Sequence, residues 1–231
     1  MFVRNVIAPM GILLSMATSS FAADLVEAQP AEAPPPAAPT WSIGIEGSPE
    51  FYAIANGSNR SGTLADSYYK LSVSHTFDNN FVGGVFIQPT FKSGGKSQYY
   101  AEASLGYKFK LTDAFTLTPS VGIGYTWHDT GIIKDTDANA NVAYYALYLA
   151  GDLKLDKQWT WNAFNLRWRN AFNTTWETPK VATGITYNID STNAVYTSVG
   201  YSWKKINTTS SPYDSLAGDK INIAIGYKHA F

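Results

Sequence analysis

Apolar and polar side chains alternate with a period of two along most of the chain, which predicts β-strands. From Phe115 to His128 one face carries Phe, Leu, Pro, Val, Ile, Tyr and Trp, whereas the other carries Thr, Ser, Gly and His. The stretch from Tyr99 to Leu111 repeats this arrangement. Long alternating runs with aromatic residues near both ends of the apolar face are typical of tilted strands that cross a bilayer.

Eight further segments follow the same pattern less regularly, so the sequence predicts ten strands. They are Trp41–Ala55, Ser67–Phe77, Phe81–Phe91, Val142–Leu155, Trp159–Phe172, Val181–Ile189, Ala194–Lys205 and Lys220–Phe231. Pro49 cannot donate a hydrogen bond to a neighbouring strand, which predicts a kink or bulge in the first strand. The apolar phase shifts by one residue between Trp161 and Phe164, which predicts a second bulge.

Short polar turns alternate with longer polar loops between the predicted strands. The turns are residues 78–80, 112–114, 156–158 and 190–193, and the loops are residues 56–66, 92–98, 129–141, 173–180 and 206–219. Outer-membrane barrels combine an even number of strands with short turns on one side and longer loops on the other. The sequence therefore predicts an all-β fold, a transmembrane antiparallel up-and-down barrel of about ten strands, with eight or twelve strands as alternatives.

Composition supports this prediction and excludes several other classes of protein. Aromatic and charged residues each make up 15% of the chain, and many aromatic residues fall near the predicted strand ends, as expected for the two membrane interfaces. A net charge of −1 excludes a general nucleic-acid binder. The absence of cysteine excludes a disulfide scaffold and a thiol nucleophile.

The first 40 residues have the composition of export and linker segments. Arg4, the apolar run from Val6 to Ala17 and the small residues of Ser20-Phe21-Ala22 together predict a secretory signal peptide over residues 1–22. Residues 23–40 are rich in Ala and Pro, which predicts an extended periplasmic leader. The expected organisation is signal peptide 1–22, leader 23–40 and barrel 41–231, with the mature protein located in the outer membrane.

The polar face of the predicted strands carries charged residues that a barrel would turn inward. The set predicted to line a pore is Arg167, Arg169, Lys108, Lys70, Glu102, Asp152 and Lys204. Arg167 and Arg169 lie two residues apart, about 7 Å on one strand face. Two interpretations remain open: a basic constriction that selects anions, or a packed lumen in which the arginines pair with carboxylates such as Glu102 and Asp152.

The sequence predicts no catalytic residues, no metal site and no cofactor. His128 and Asp129 are adjacent, so a strand would turn them to opposite faces. Asp135–Asn141 resembles the opening of a calcium loop, but Ala140 and Ala146 stand where that loop needs Gly and Glu. Gly122 and Gly124 are interpreted as a strand feature that eases close packing.

The last eleven residues alternate apolar and polar positions and end on an aromatic residue, as Ile221-Asn222-Ile223-Ala224-Ile225-Gly226-Tyr227-Lys228-His229-Ala230-Phe231. This segment resembles the C-terminal signature of bacterial outer-membrane β-barrels. Together with the signal peptide, the leader and the ten segments, the resemblance covers the whole chain. It implies insertion by the barrel-assembly machinery, with Phe231 and Tyr227 in the assembly signal, and contact with outer-membrane lipid and lipopolysaccharide.

That class includes porins, structural barrels, adhesins and enzymes, so the resemblance does not determine function. The first expectation is a small porin-like channel for passive diffusion of small polar solutes, with a weak preference for anions. The second is a structural or surface-interaction barrel with a lumen filled by side chains, and the third is an outer-membrane enzyme. A continuous inward polar stripe favours the first and mutually neutralising inward charges favour the second. The sequence indicates no oligomeric state.

Overall fold

The computed structural model of the chain describes residues 40–53, 61–92, 97–128, 141–172, 175–203, 205–207 and 219–231. These ranges contain strands β1 (Thr40–Tyr52), β2 (Leu64–Thr76), β3 (Phe81–Lys92), β4 (Ser97–Tyr107), β5 (Phe109–Lys110), β6 (Phe115–His128), β7 (Val142–Lys154), β8 (Trp159–Ala171), β9 (Thr175–Glu177), β10 (Lys180–Asn188), β11 (Asn193–Ser202), β12 (Lys205–Asn207) and β13 (Lys220–Ala230). Within them, no helix is long and apolar enough to cross a membrane. The predicted signal peptide, nearly all of the leader and much of the loops lie outside the described residues.

Ten long strands close into one antiparallel barrel, in the order β4-β3-β2-β1-β13-β11-β10-β8-β7-β6, and β6 pairs back onto β4. The short β5 continues the line of β4 and also pairs with β6. The two ends of the barrel sequence meet where β1 pairs with β13, and the Phe231 amide donates to the Trp41 carbonyl at 2.8 Å. Every long strand therefore has two neighbours, which satisfies the backbone without an edge. The predicted ten-strand barrel is confirmed.

One of the two predicted bulges occurs where it was expected. The pairing of β1 with β2 runs without a break through Pro49 and shifts register between Glu50 and Phe51, where Ala65 is the extra residue, so this bulge lies in β2 and not in the first strand. Along β8, Phe164 pairs with Gly151 and Asn162 pairs with the following residue Asp152, so one extra residue is accommodated in β8. This bulge allows β8 to change its apolar phase while both halves keep polar side chains inside the barrel.

The short turns are stabilised by a polar side chain that accepts backbone N–H groups. Asp156 accepts from the amide of Trp159 at 2.7 Å, and Asp190 accepts from the amide of Asn193 at 2.8 Å. The Asn193 side-chain amide and the backbone donors hold the pKa of the Asp190 carboxyl well below its usual range. In the first turn Asn80 adopts a φ of 66°, a conformation that asparagine tolerates better than most residues. We call this end of the barrel the turn end and the opposite end the loop end.

The outer surface of the barrel is a band of exposed apolar side chains. Val121, Ile123 and Ile225 are 57%, 64% and 68% exposed, respectively. Soluble monomers rarely expose a continuous apolar surface of this kind, whereas the wall of a transmembrane barrel faces lipid. The alternation read from the sequence therefore corresponds to an apolar exterior and a polar interior.

Aromatic side chains cluster at both ends of this band. At the turn end, the rings of Phe81 and Tyr107 lie 5.1 Å apart between centroids, and those of Trp159 and Tyr187 lie 4.7 Å apart. At the loop end, Tyr99 stacks on Trp127 at 5.6 Å. Tyrosine and tryptophan favour the headgroup depth of a bilayer, so the two clusters mark its two interfaces.

We expect deletion of Phe231 to lower the fraction of folded protein in the outer membrane. The deletion removes the backbone pair with Trp41 that joins the chain end to β1. Folded protein is measured as the heat-modifiable band on a denaturing gel. Phe231→Ala, which keeps the backbone hydrogen bonds, is the control that separates the backbone contribution from that of the ring. A normal heat-modifiable band after deletion would contradict the prediction.

Val121→Arg should destabilise the barrel by about 2–4 kcal/mol, the usual cost of a basic residue on the lipid face near the bilayer midplane. Ser120→Arg is the matched control, because Ser120 lies at the same depth and lines the interior. Its arginine enters a polar lumen and should cost clearly less. The measurement is the free energy of unfolding by urea in lipid vesicles. Equal losses at the two positions would show that the assignment of inner and outer faces is wrong.

Candidate functional site

The interior of the barrel holds a cavity of about 820 Å³. All ten long strands contribute side chains to its wall. Its charged lining residues are Glu46, Glu50, Asp66, Lys70, Lys92, Glu102, Asp152, Arg167, Arg169, Lys180 and Lys220. On β8 the lining extends from Asn162 to Arg169, which corresponds to about 23 Å along a strand. The cavity therefore follows the barrel wall over much of the strand length.

A cluster around Glu102 fills one side of the lumen. The Glu102 carboxylate forms an ion pair with Arg169 at 2.9 Å and accepts hydrogen bonds from the hydroxyls of Tyr144, at 3.0 Å, and Tyr148. The Arg169 guanidinium also lies 5.2 Å from the centre of the Tyr144 ring and 5.5 Å from that of Phe86. Both charges are almost fully buried, so these contacts offset their loss of water.

A second cluster repeats this chemistry around Glu46. The Glu46 carboxylate accepts from the Tyr68 and Tyr196 hydroxyls at 2.9 and 2.8 Å and pairs with Lys70 at 2.9 Å. The Lys70 side chain is 27% exposed, compared with 5% for Arg169. The second cluster therefore has the same partners in a wetter environment.

A glycine permits the tyrosine contact in each cluster. Glu102, Gly124 and Tyr144 lie side by side on β4, β6 and β7, and a Cβ atom at Gly124 would lie 2.5 Å from the Tyr144 hydroxyl. Glu46, Gly226 and Tyr196 form the same row on β1, β13 and β11, where a Cβ would lie 2.4 Å from the tyrosine hydroxyl. A side chain at either glycine would occupy the space that the tyrosine needs.

The segment after β8 folds into the mouth of the barrel. Trp176 is 3% exposed and packs against Tyr144 and Tyr100, with ring centroids 5.3 and 6.5 Å away. Its amide donates to the Asn170 side chain at 3.1 Å, and β9 pairs with β12 in a separate two-stranded sheet. The segment 173–180 was predicted to be a polar loop, and that prediction is wrong for β9 and for Lys180, the first residue of β10. A single tryptophan among polar residues gave no alternation that could reveal this.

Charges at the two ends of the cavity are also paired or hydrogen-bonded. Near the loop end Lys220 forms ion pairs with Asp66 and, at 3.6 Å, with Glu50. Towards the turn end Asp152 accepts from the Asn162 side-chain amide at 2.8 Å. Lys108 lies on the inward phase nearby and donates to the Thr76 hydroxyl at 3.0 Å.

Arg167 and Lys180 differ from these charged residues because the two cations lie opposite each other on neighbouring strands. The two residues are direct cross-strand neighbours on β8 and β10. Within the described ranges neither has an acidic group within ion-pair distance. The Arg167 guanidinium donates to the Thr178 carbonyl at 3.5 Å, and its Nε atom is buried without a partner.

The structure places five of the predicted pore-lining residues on the cavity wall: Lys70, Glu102, Asp152, Arg167 and Arg169. Arg169 meets a carboxylate, as one interpretation expected, whereas Arg167 does not. Lys108 lies beyond the lining residues, and Lys204 lies outside the described residues. Their role in permeation stays a prediction.

The predicted pore-lining set omits six of the charged lining residues: Glu46, Glu50, Asp66, Lys92, Lys180 and Lys220. Lys180 was assigned to a loop, although extending the period-two pattern of β10 by one residue would have placed it inside. Glu50 lies two residues from Ser48 and four from Glu46 on the inward face of β1, so the period-two pattern already placed it inside. Asp66 was also assigned to a loop, one residue before the predicted second strand.

The positions considered for catalysis and for calcium binding in the sequence lie mostly outside the part of the chain that the structure describes. The side chain of His128 and the whole of Asp129 and of residues 135–140 lie outside the described residues. Among the described residues, no group of three or more His, Asp or Glu side chains could hold a metal ion.

Comparisons with known proteins agree on the fold. The β domain of the Bordetella autotransporter Brka matches with a TM-score of 0.52 and 8% identity, over 84% of this chain and 99% of that one. An outer-membrane channel from Pseudomonas putida F1 matches with a TM-score of 0.50 and 11% identity, over 89% of this chain and 100% of that one. The NanC porin has a TM-score of 0.46 and 9% identity, over 81% and 98%. No protein-family model and no curated protein matches the chain.

The two matches with TM-scores of 0.50 and 0.52 show that the chain has the fold of outer-membrane β-barrels. The apolar exterior and the two aromatic clusters agree with this fold. The protein is therefore an outer-membrane β-barrel. Identities of 8 and 11% do not extend to function, so the function must be argued from the lumen itself.

We expect the same Glu→Gln substitution to lower the free energy of unfolding by different amounts in the two glutamate clusters. Glu102→Gln leaves the Arg169 charge buried without its carboxylate, so we expect a loss of about 3 kcal/mol or more in the free energy of unfolding. Glu46→Gln should cost about 1 kcal/mol or less, because Lys70 keeps contact with water. Urea unfolding in vesicles measures both. Equal losses would contradict the difference in burial on which the comparison rests.

Proposed function

We propose that this protein is a small outer-membrane channel for passive diffusion of small polar solutes, with a weak preference for anions. The observation that carries the proposal is the polar cavity of about 820 Å³ to which all ten wall strands contribute. At about 30 Å³ for each molecule of liquid water, that volume holds about 25 waters. Wet charged groups on the inner wall are the normal arrangement in a channel and are costly in a dry barrel.

The preference for anions follows from the arrangement of charge. Lys70 and Arg169 each have one carboxylate partner and Lys220 has two, Glu50 and Asp66, so these three positive charges are cancelled locally. Arg167 and Lys180 have no such partner among the described residues. Fixed charges beside a low-dielectric wall are less screened than charges at an open surface. These two residues therefore favour anions in the lumen.

A second candidate function is a structural or surface-interaction barrel with a closed lumen. The packing of Trp176 against Tyr144 and Tyr100 favours it, since these rings occupy one side of the mouth. We prefer the channel because the cavity continues beside this packed region. The proposal assigns no catalytic residue.

Reversal potentials across a salt gradient in planar bilayers test the preference for anions. We expect wild-type protein to favour chloride over potassium at low salt, and the preference to fade as the Debye length falls to about 3 Å at 1 M. Arg167→Glu should move the preference towards cations. Lys110→Glu, an equal charge change on an exposed residue of β5 outside the cavity lining, is the control. An unchanged reversal potential in folded, conducting Arg167→Glu protein would contradict the proposed selectivity.

A further inference from the structure

The neighbouring cations Arg167 and Lys180 form an arrangement that requires a further explanation. Like charges directly opposite each other on neighbouring strands destabilise a sheet. The other basic residues with assigned carboxylate partners, Lys70, Arg169 and Lys220, show that this barrel can neutralise cations when it only needs stability. The described part of the lumen provides no such carboxylate for Arg167 and Lys180.

Two polar atoms beside this pair are also left without partners. The Arg167 Nε and the Thr178 hydroxyl oxygen are both buried and make no hydrogen bond, and the Nε of Arg169, two residues further along β8, is in the same state. Thr178 is held in place, because its amide donates to the Arg169 carbonyl at 3.0 Å and its carbonyl accepts from Arg167 at 3.5 Å. A buried donor without an acceptor costs about 1–3 kcal/mol, so these groups favour an acceptor from outside the chain.

The Lys180 side chain is also positioned inside the lumen. It passes over Gly200, where a Cβ atom would lie 2.8 Å from the Lys180 Cε. Its ammonium group then lies 5.8 Å from the centre of the Tyr68 ring. Tyr68 belongs to β2, and the strands β11, β13 and β1 lie between β10 and β2 in the barrel wall. The ammonium group therefore extends into the lumen within the same cavity that Arg167 and Thr178 line.

We propose that Arg167, Lys180 and Thr178 form a binding site for the carboxylate group of a small organic anion. A carboxylate has two coplanar oxygens, which match the edge of a guanidinium group in two parallel hydrogen bonds. It would accept from the Arg167 Nε, accept from the Thr178 hydroxyl and neutralise the two cations. This role rests on the proposed function, because the site would bind a solute on the permeation route through the lumen.

Isothermal titration calorimetry on the refolded full chain in detergent tests the site, with succinate as the probe and chloride held at constant ionic strength. We expect wild-type protein to bind succinate. Arg167→Gln and Lys180→Gln should each weaken binding about tenfold or more, as expected for loss of one charge-assisted hydrogen bond. Lys228→Gln, which removes one positive charge near the turn end, is the matched control and should change binding less than twofold. The heat-modifiable band verifies that each variant folds.

Several outcomes would overturn the site. They are no succinate binding to wild-type protein, equal weakening by Lys228→Gln, or tighter binding of inorganic phosphate than of succinate. The third outcome would show a general oxyanion site instead of a carboxylate site. Calorimetry does not require conduction, so the two proposals can fail separately. Protein that binds succinate without conducting overturns the channel alone, and protein that conducts without binding succinate overturns the site alone.

Discussion

Two of the glutamates that line the interior of the barrel, Glu46 and Glu102, are each contacted by a tyrosine that reaches across a glycine on the intervening strand. The physical constraint is that a strand facing lipid on one side must place its polar groups in a narrow interior, where an unpartnered carboxylate is very costly. Rows of Glu, Gly and Tyr solve this for Glu102 and Glu46. Because each row crosses three strands, it also couples the register of those strands to the burial of charge.

The rows also determine where the lumen stays open. The Glu102 row recruits Arg169 and packs against Trp176, so one side of the mouth is filled by side chains. The Glu46 row pairs with the wetter Lys70 and leaves space beside it. Arg167 and Lys180 line the same cavity and take part in neither row. The lumen thus combines neutralised structural charges with a local excess of positive charge, and the proposed function depends on that difference.

The alternation of side chains was sufficient to predict the number of strands, the inner and outer faces and the bulge in β8, because lipid imposes a strict period of two on every wall strand. The short turns were predictable for a similar reason, since residues such as Asp156 and Asp190 carry their own capping groups. The sequence could not show which inward charges pair. Glu102 and Arg169 lie far apart in the chain and meet only through register across several strands. Lys180 was missed because β10 begins where a polar loop was expected.

The proposed function requires a water-filled path beside the packed side chains of the lumen. Osmotic swelling of proteoliposomes in small neutral polyols tests it most directly, because uncharged solutes report the path without the influence of the fixed charges. If the path exists, swelling is faster than that of protein-free liposomes, and its rate falls steeply as the solute grows from glycerol to a disaccharide. Swelling no faster than that of protein-free liposomes, with folded protein in the membrane, would contradict it.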